Sequence, residues 1–501
     1  MNMIKNFLIF SCLFLSNYSI VFANIDVICG GIDEIQPIHI NPSTSSVNGL
    51  IIYVSFKDAP ESEQNLPNYY QSVETNIHNF YEEMSYNSHQ LNLNTALRPD
   101  SFITKCYITD DNTSEYSIPD NSDESMNKLG NLTNEIIGKV LADNSSILQD
   151  INVIFLCFSR DIFGNQYNHF SALATLGNNI IEYSGPGCVL SWHTQDELEW
   201  SIAHEYGHIL GLSDMKNSYL KKFYGVYALM YNRHQTNKSG IGGPNPISAK
   251  NLRVLEWIND NRFIQVTSKI DVDIEDIRTV NGKVYQLKPK DSNQYFLIAN
   301  HQRTGYEQIY EGKGLLIWHF NLSANYDIES AIGKWSDPDP VSGNWQNGLP
   351  DPIGGLDPLD FTDNYYNGSA GDFFNSLTLT AFTPFSNPGT NLYSGGLGSN
   401  ENINSHVAII NIGPTVENAI RVSFIPNYWG GDLNPYPPDY TRTWKCNDSP
   451  YYIGADIEVK ENETLIIEPG VEVIFLDRDD LNTGNNPNKS ELVIKWSTHC
   501  Q

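Results

Sequence analysis

His204-Glu205-Tyr206-Gly207-His208 sets two imidazoles four residues apart, with a carboxylate directly after the first. On a helix, residues i and i+4 lie one above the other, so both rings can reach a single zinc ion. Glu205 sits one residue round from the first ring, where it can take a proton from water at the metal rather than ligate it. Gly211 lets the chain leave the helix in a left-handed turn, and that turn brings Asp214 back as a third ligand. Three protein ligands plus a water is the catalytic form of a zinc site; a structural site is closed by a fourth. A core helix with two hydrogen-bonded His would explain the pair alone, but not the Gly and Asp that end the run.

The helix that must carry these side chains has a start signal. Thr194-Gln195-Asp196-Glu197 has the form of a capping box, which predicts a helix from there to about Leu210. Leu198, Ile202, Ile209 and Leu210 give it an apolar side. Farther on, Tyr227-Ala228-Leu229-Met230-Tyr231 offers Met230 as the Met-turn found beneath the metal in metzincin-type sites. Tyr231 is a candidate contact to a substrate oxyanion, and His234 a candidate lining of the cleft.

The flanking elements give an α+β expectation. Residues 51–56, 91–94 and 151–158 read as strands, and 72–84 as a helix with Val73, Ile77, Phe80 and Met84 on one side. From about residue 262 the texture changes to strands separated by Asp-, Asn-, Gly- and Pro-rich loops, at 284–287, 295–300, 314–320, 407–410 and 419–424. After residue 426 come short, closely spaced runs at 457–459, 464–470 and 471–475, like the opening coils of a right-handed parallel β-helix. The expected organisation is a signal peptide (1–23), an N-terminal arm or remnant pro-segment (24–48), a metzincin-like zinc peptidase domain (49–261), a β-rich, sandwich-like domain (262–425) and a β-helix-like segment (426–501) that is a candidate for cell-surface attachment.

The first 23 residues carry Lys5, an apolar stretch from Phe7 to Phe22 and a small-residue close at Ala23. This is the pattern of a secretory signal, too short for a membrane span. An exported, extracellular protein is therefore expected. Cys29, Cys106, Cys157, Cys188, Cys446 and Cys500 remain after it, an even number that permits disulfides, with Cys446–Cys500 as one pairing. The formal net charge of -29 repels phosphate backbones and argues against a nucleic-acid partner. Asp357, Asp360, Asp363, Asn364 and Asp372 supply oxygen ligands that suit a structural calcium ion.

Over roughly residues 48 to 425 the sequence resembles the immune inhibitor A family of secreted bacterial metallopeptidases. The matching runs are 80–86 (Phe-Tyr-Glu-Glu-Met-Ser-Tyr), the zinc motif with Asp214 in place of a third His, and Ala228-Leu229-Met230 with 246–250 and 255–258. Two more are 295–302 with 312–319, the most family-specific, and 367–372. Glu256 stands where the family commonly has Gly, and Ala299 where it commonly has Glu; neither touches a zinc ligand. The resemblance implies a zinc endopeptidase acting on proteins or peptides. Two other readings stay open: a zinc amidase acting on cell-wall or glycan-linked amides, and an idle extracellular binding or adhesion protein. The intact Glu205 argues against the last, since a binding module has no use for a base there.

Overall fold

The computed structural model describes residues 40–99, 102, 104–116, 123–160, 171–175, 186–191, 194–215, 227–230, 243–320, 326–329, 370–393, 401–432, 441–461 and 463–495. The signal peptide, most of the N-terminal arm, Tyr231, His234, Asp357, Asp360, Asp363 and Asn364 lie outside these residues.

The first region is built on a sheet of β1 (Ser46–Ser55), β2 (Gln90–Thr95), β3 (Tyr107–Ile108), β4 (Val153–Phe158), β5 (Ser171–Thr175) and β6 (Pro186–Ser191). The strand order is β2-β1-β4-β6-β5, with β3 also beside β1. All pairs are parallel except β5 with β6. The parallel strands β1 and β4 read as continuous apolar runs because both of their faces are covered. Alternation divides their side chains: Ile51, Tyr53, Phe155 and Cys157 enter one core, while Leu50, Ile52, Val54, Ile154 and Leu156 enter another. The first core is closed by α1 (Tyr70–Met84) and by the helix of the zinc motif, the second by α2 (Asp123–Asp143).

The sequence reading has no counterpart for α2. Leu129, Leu132, Ile136, Ile137 and Val140 do recur at helical spacing and are buried. Gly130, Gly138 and a run of Asn dilute that signal.

A second five-stranded sheet follows, of β7 (Phe263–Val266), β9 (Val284–Leu287), β10 (Tyr295–His301), β11 (Gly314–Phe320) and β12 (Tyr326–Glu329), while β8 (Ile270–Glu275) joins a third sheet with Ala408–Ile410, Thr415–Val416 and Ala419–Ile425. These two sheets face one another across a core containing Phe296, Ile298, Ile317, Ile409, Val422 and Phe424, which makes the region a β-sandwich. The opposite side chains of β10 and β11, Leu297, Ala299, Leu316, Trp318 and Phe320, belong to the same core as the zinc-motif helix. In the last region, Tyr428–Asp432, Tyr451–Val459, Val473–Phe475 and Leu492–Ile494, with the separate pair Thr441–Trp444 and Thr464–Ile467, align in parallel throughout, as a β-helix-like coil requires. The architecture as a whole is α+β, with few helices and many strands.

Cys106, Cys157 and Cys188 are free buried thiols and Cys446 is a free exposed one; Cys29 and Cys500 lie outside the described residues. Cys157 and Cys188 sit in the packed interior on β4 and β6, where they serve as small apolar side chains. No helix among the described residues is long and apolar enough to cross a membrane.

Candidate metal centre

Helix α3 (Gln195–Ile209) carries the site, and its ends are set by local chemistry. The Thr194 side chain accepts from the Glu197 N–H, and the Glu197 side chain accepts in return from the Thr194 N–H, completing the capping box. At the other end Leu212 N–H donates to the Gly207 carbonyl at 3.0 Å and Gly211 N–H to the His208 carbonyl at 2.9 Å. This is a Schellman closure, and Gly211 takes the left-handed φ of 95° that it requires. Residues 212–215 then run back beneath the helix. Met215 N–H donates to the Met230 carbonyl at 2.7 Å, which ties the returning segment to the Met-turn.

That return brings Asp214 to both imidazoles. Its Oδ1 lies 3.2 Å from His204 Nε2 and 3.3 Å from His208 Nε2. Four-coordinate zinc with ligand bonds of about 2.0–2.1 Å separates neighbouring ligand atoms by about 3.3 Å. Both distances to Asp214 match that spacing, the ligand atoms of His204, Glu205 and His208 lie within 4.8 Å of one another, and two neutral imidazoles with one carboxylate form a donor set suited to zinc. Glu205 Oε1 stands 4.0 Å from His204 Nε2, beside the ligands, and its side chain is buried.

The rings are held from behind. His204 Nδ1–H donates to the Leu229 carbonyl at 2.9 Å and His208 Nδ1–H to the Leu212 carbonyl at 2.8 Å. Each bond leaves Nε2 as the nitrogen free to take a metal. Trp200, one turn earlier on α3, stacks on His204 with ring centroids 4.8 Å apart. Met230 is fully buried, and a Cβ at position 207 would fall 2.6 Å from its sulfur. Gly207 is therefore what lets the Met-turn close against the helix between the two His.

Charge coupling is strong. Burial works against the charge on Asp214, yet the hydrogen bonds from His204 and His208 hold its carboxyl well below the usual carboxylate range. Burial likewise opposes protonation of His208, but Asp214 outweighs it and pushes the imidazole up to about 9. A divalent cation supplies the same positive charge, so metal binding here releases protons.

Met230, the expected Met-turn residue, is buried against Gly207 between the two His. Asp372, expected as a calcium ligand, is fully buried and accepts from the Tyr227 hydroxyl at 2.7 Å, so it braces the root of the Met-turn. Its three companions, Asp357, Asp360 and Asp363, lie outside the described residues, as does Tyr231. Sequence reasoning missed the Leu229 and Leu212 carbonyls, the stacking of Trp200 and the need for Gly207. Only Gly207 left a visible signal, a helix-weakening residue inside an otherwise helical run.

No protein-family model matches the chain, and no curated protein does. Among solved structures, catalytically inactive OgpA from Akkermansia muciniphila, in complex with an O-glycopeptide (glycodrosocin) substrate, is similar at 10% sequence identity. The match covers 61% of this chain and 95% of that one with a TM-score of 0.24.

Proposed function

We propose that the chain is a zinc-dependent endopeptidase of the immune inhibitor A type, exported from the cell and acting on protein or peptide substrates. The observation that supports it most is the convergence of His204 Nε2, His208 Nε2 and Asp214 Oδ1 at tetrahedral-edge distances, with the Glu205 carboxylate beside them. When bound, zinc supplies a Lewis acid that acidifies water and polarises the scissile carbonyl. Glu205 then takes the proton of the attacking water and delivers it to the departing amine, both transfers through one carboxylate. The Leu229 and Leu212 carbonyls keep both imidazoles turned toward the ion. The family motifs favour a peptide bond over other amides. A structural calcium held by the acidic side chains between Asp357 and Asp372 belongs to the same proposal. Its test is a loss of thermal stability in chelator that calcium restores and zinc does not.

The deciding experiment compares casein hydrolysis by the purified protein and its Glu205→Ala variant, with zinc content measured for both. The expected result is about one zinc in each and cleavage by the wild type alone. If both hold zinc and neither cleaves any protein offered, the peptidase reading fails in favour of a zinc amidase or an idle binding scaffold.

A further inference from the structure

The face of the first sheet that α2 covers carries a cleft of about 480 Å³, with Lys57, Arg98, Tyr107, Asp110, Lys139 and Asp143 in its wall. It opens on the side away from α3, since Tyr107 and the apolar face of α2 share one core while the zinc-motif helix belongs to the other. Acidic residues outnumber Lys and Arg by 59 to 30 in the chain, yet three cations meet here, each from a different segment. A fourth, Lys105, donates to the Arg98 and Pro99 carbonyls next to it.

The cations differ in how they are occupied. Lys139 is neutralised by Asp110 at 2.8 Å and Glu135 at 2.9 Å. Lys57 Nζ donates only to the Asp110 backbone carbonyl, at 2.9 Å. Arg98 Nη1 donates to the Thr104 hydroxyl at 3.0 Å, and its guanidinium lies 3.7 Å above the Phe102 ring. Lys57 and Arg98 therefore bring positive charge that no carboxylate among the described residues pairs. The Tyr107 hydroxyl is buried, in a residue that is 2% exposed, and burial together with the neighbouring Asp143 carboxylate pushes its pKa up.

We propose that this cleft binds a carboxylate-bearing sugar, with the acid group held by Lys57 and Arg98. Two features narrow the ligand to that class. Asp110 and Asp143 share the wall, so a second charge on the ligand is repelled, which disfavours phosphates and nucleotides. The same two carboxylates, with Thr109, supply acceptors for sugar hydroxyls. The volume lies within the range of small-molecule sites, which run from about 300 to 1,000 Å³.

The test is calorimetric titration of the intact protein with glucuronate, its neutral methyl ester and inorganic phosphate. Saturable binding of glucuronate is expected, with the ester and the Lys57→Gln and Arg98→Gln variants each weaker by about tenfold, the loss of one charge-assisted contact. Lys57 is exposed, so its substitution leaves the fold intact and the result readable. Rising salt weakens the interaction as well. Absence of saturable glucuronate binding, equal binding of phosphate, or unchanged binding by both variants overturns the proposal.

Discussion

Among the described residues, two buried groups bring histidine to a carboxylate, and they are built for opposite ends. At the candidate metal centre, Asp214 bridges two imidazoles whose Nδ1 atoms are already committed to backbone carbonyls. In the sandwich, Glu307 Oε1 accepts from His301 Nδ1 at 2.9 Å and from Arg278 Nε at 2.8 Å, all three side chains being nearly inaccessible. The guanidinium makes the difference. A fixed positive charge beside Glu307 neutralises it permanently and repels a metal ion, whereas no Arg lies in the described contacts of Asp214. One group gathers negative charge for an exchangeable cation; the other carries its own.

The largest expected contrast follows from replacing a histidine in each. His208→Ala should lose more than the roughly ten- to hundredfold in zinc affinity that supporting groups around a metal contribute, and peptidase activity with it. His301→Ala should keep full zinc stoichiometry by metal analysis; zinc loss there would erase the distinction.

Glu307→Ala leaves Arg278 buried without its counter-charge, which should cost about 3–5 kcal/mol in urea unfolding while zinc binding persists. A cost under about 1 kcal/mol would mean that Arg278 takes Glu83, which already acts on it electrostatically, as a substitute partner.

A smaller effect tests the packing of the metal centre. Helix propensity alone would make Gly207→Ala stabilising by about 1 kcal/mol. The contact with Met230 reverses the sign, so a net loss of about 1–3 kcal/mol is expected, relieved when Met230→Ala is added. A net gain would show that Met230 moves aside freely.

The smallest effect is the pH dependence of the sandwich group. Burial opposes the Glu307 charge, but His301 and Arg278 outweigh it, so its pKa in the folded protein lies below the ordinary 4.5. A depressed carboxyl pKa contributes stability above the unfolded value and loses it as pH falls through the folded one. The stability gap between the wild type and Glu307→Gln should hold from neutral pH to about 4.5 and narrow below it. Glu83 and Asp276, raised by burial and in part by the Glu307 charge itself, act in the opposite sense, so the measured difference also carries their response to its removal.

What was legible in the sequence is what local backbone geometry dictates. The capping box at Thr194, the i to i+4 placement of His204 and His208, and the left-handed exit at Gly211 each involve residues within one or two turns. The strands 284–287 and 314–320 were readable for the same reason, because alternation and apolar runs are local. Helix α2 was missed although its spacing was present, since glycines and asparagines blurred it. Cys106, Cys157 and Cys188 are buried free thiols, and their burial, unlike the parity of the cysteine count, depends on the fold. Tertiary structure alone decided which carbonyl orients His204, why residue 207 has no side chain, and which three segments surround the basic cleft. These join residues dozens of positions apart, and only the packing of sheet against helix brings them together.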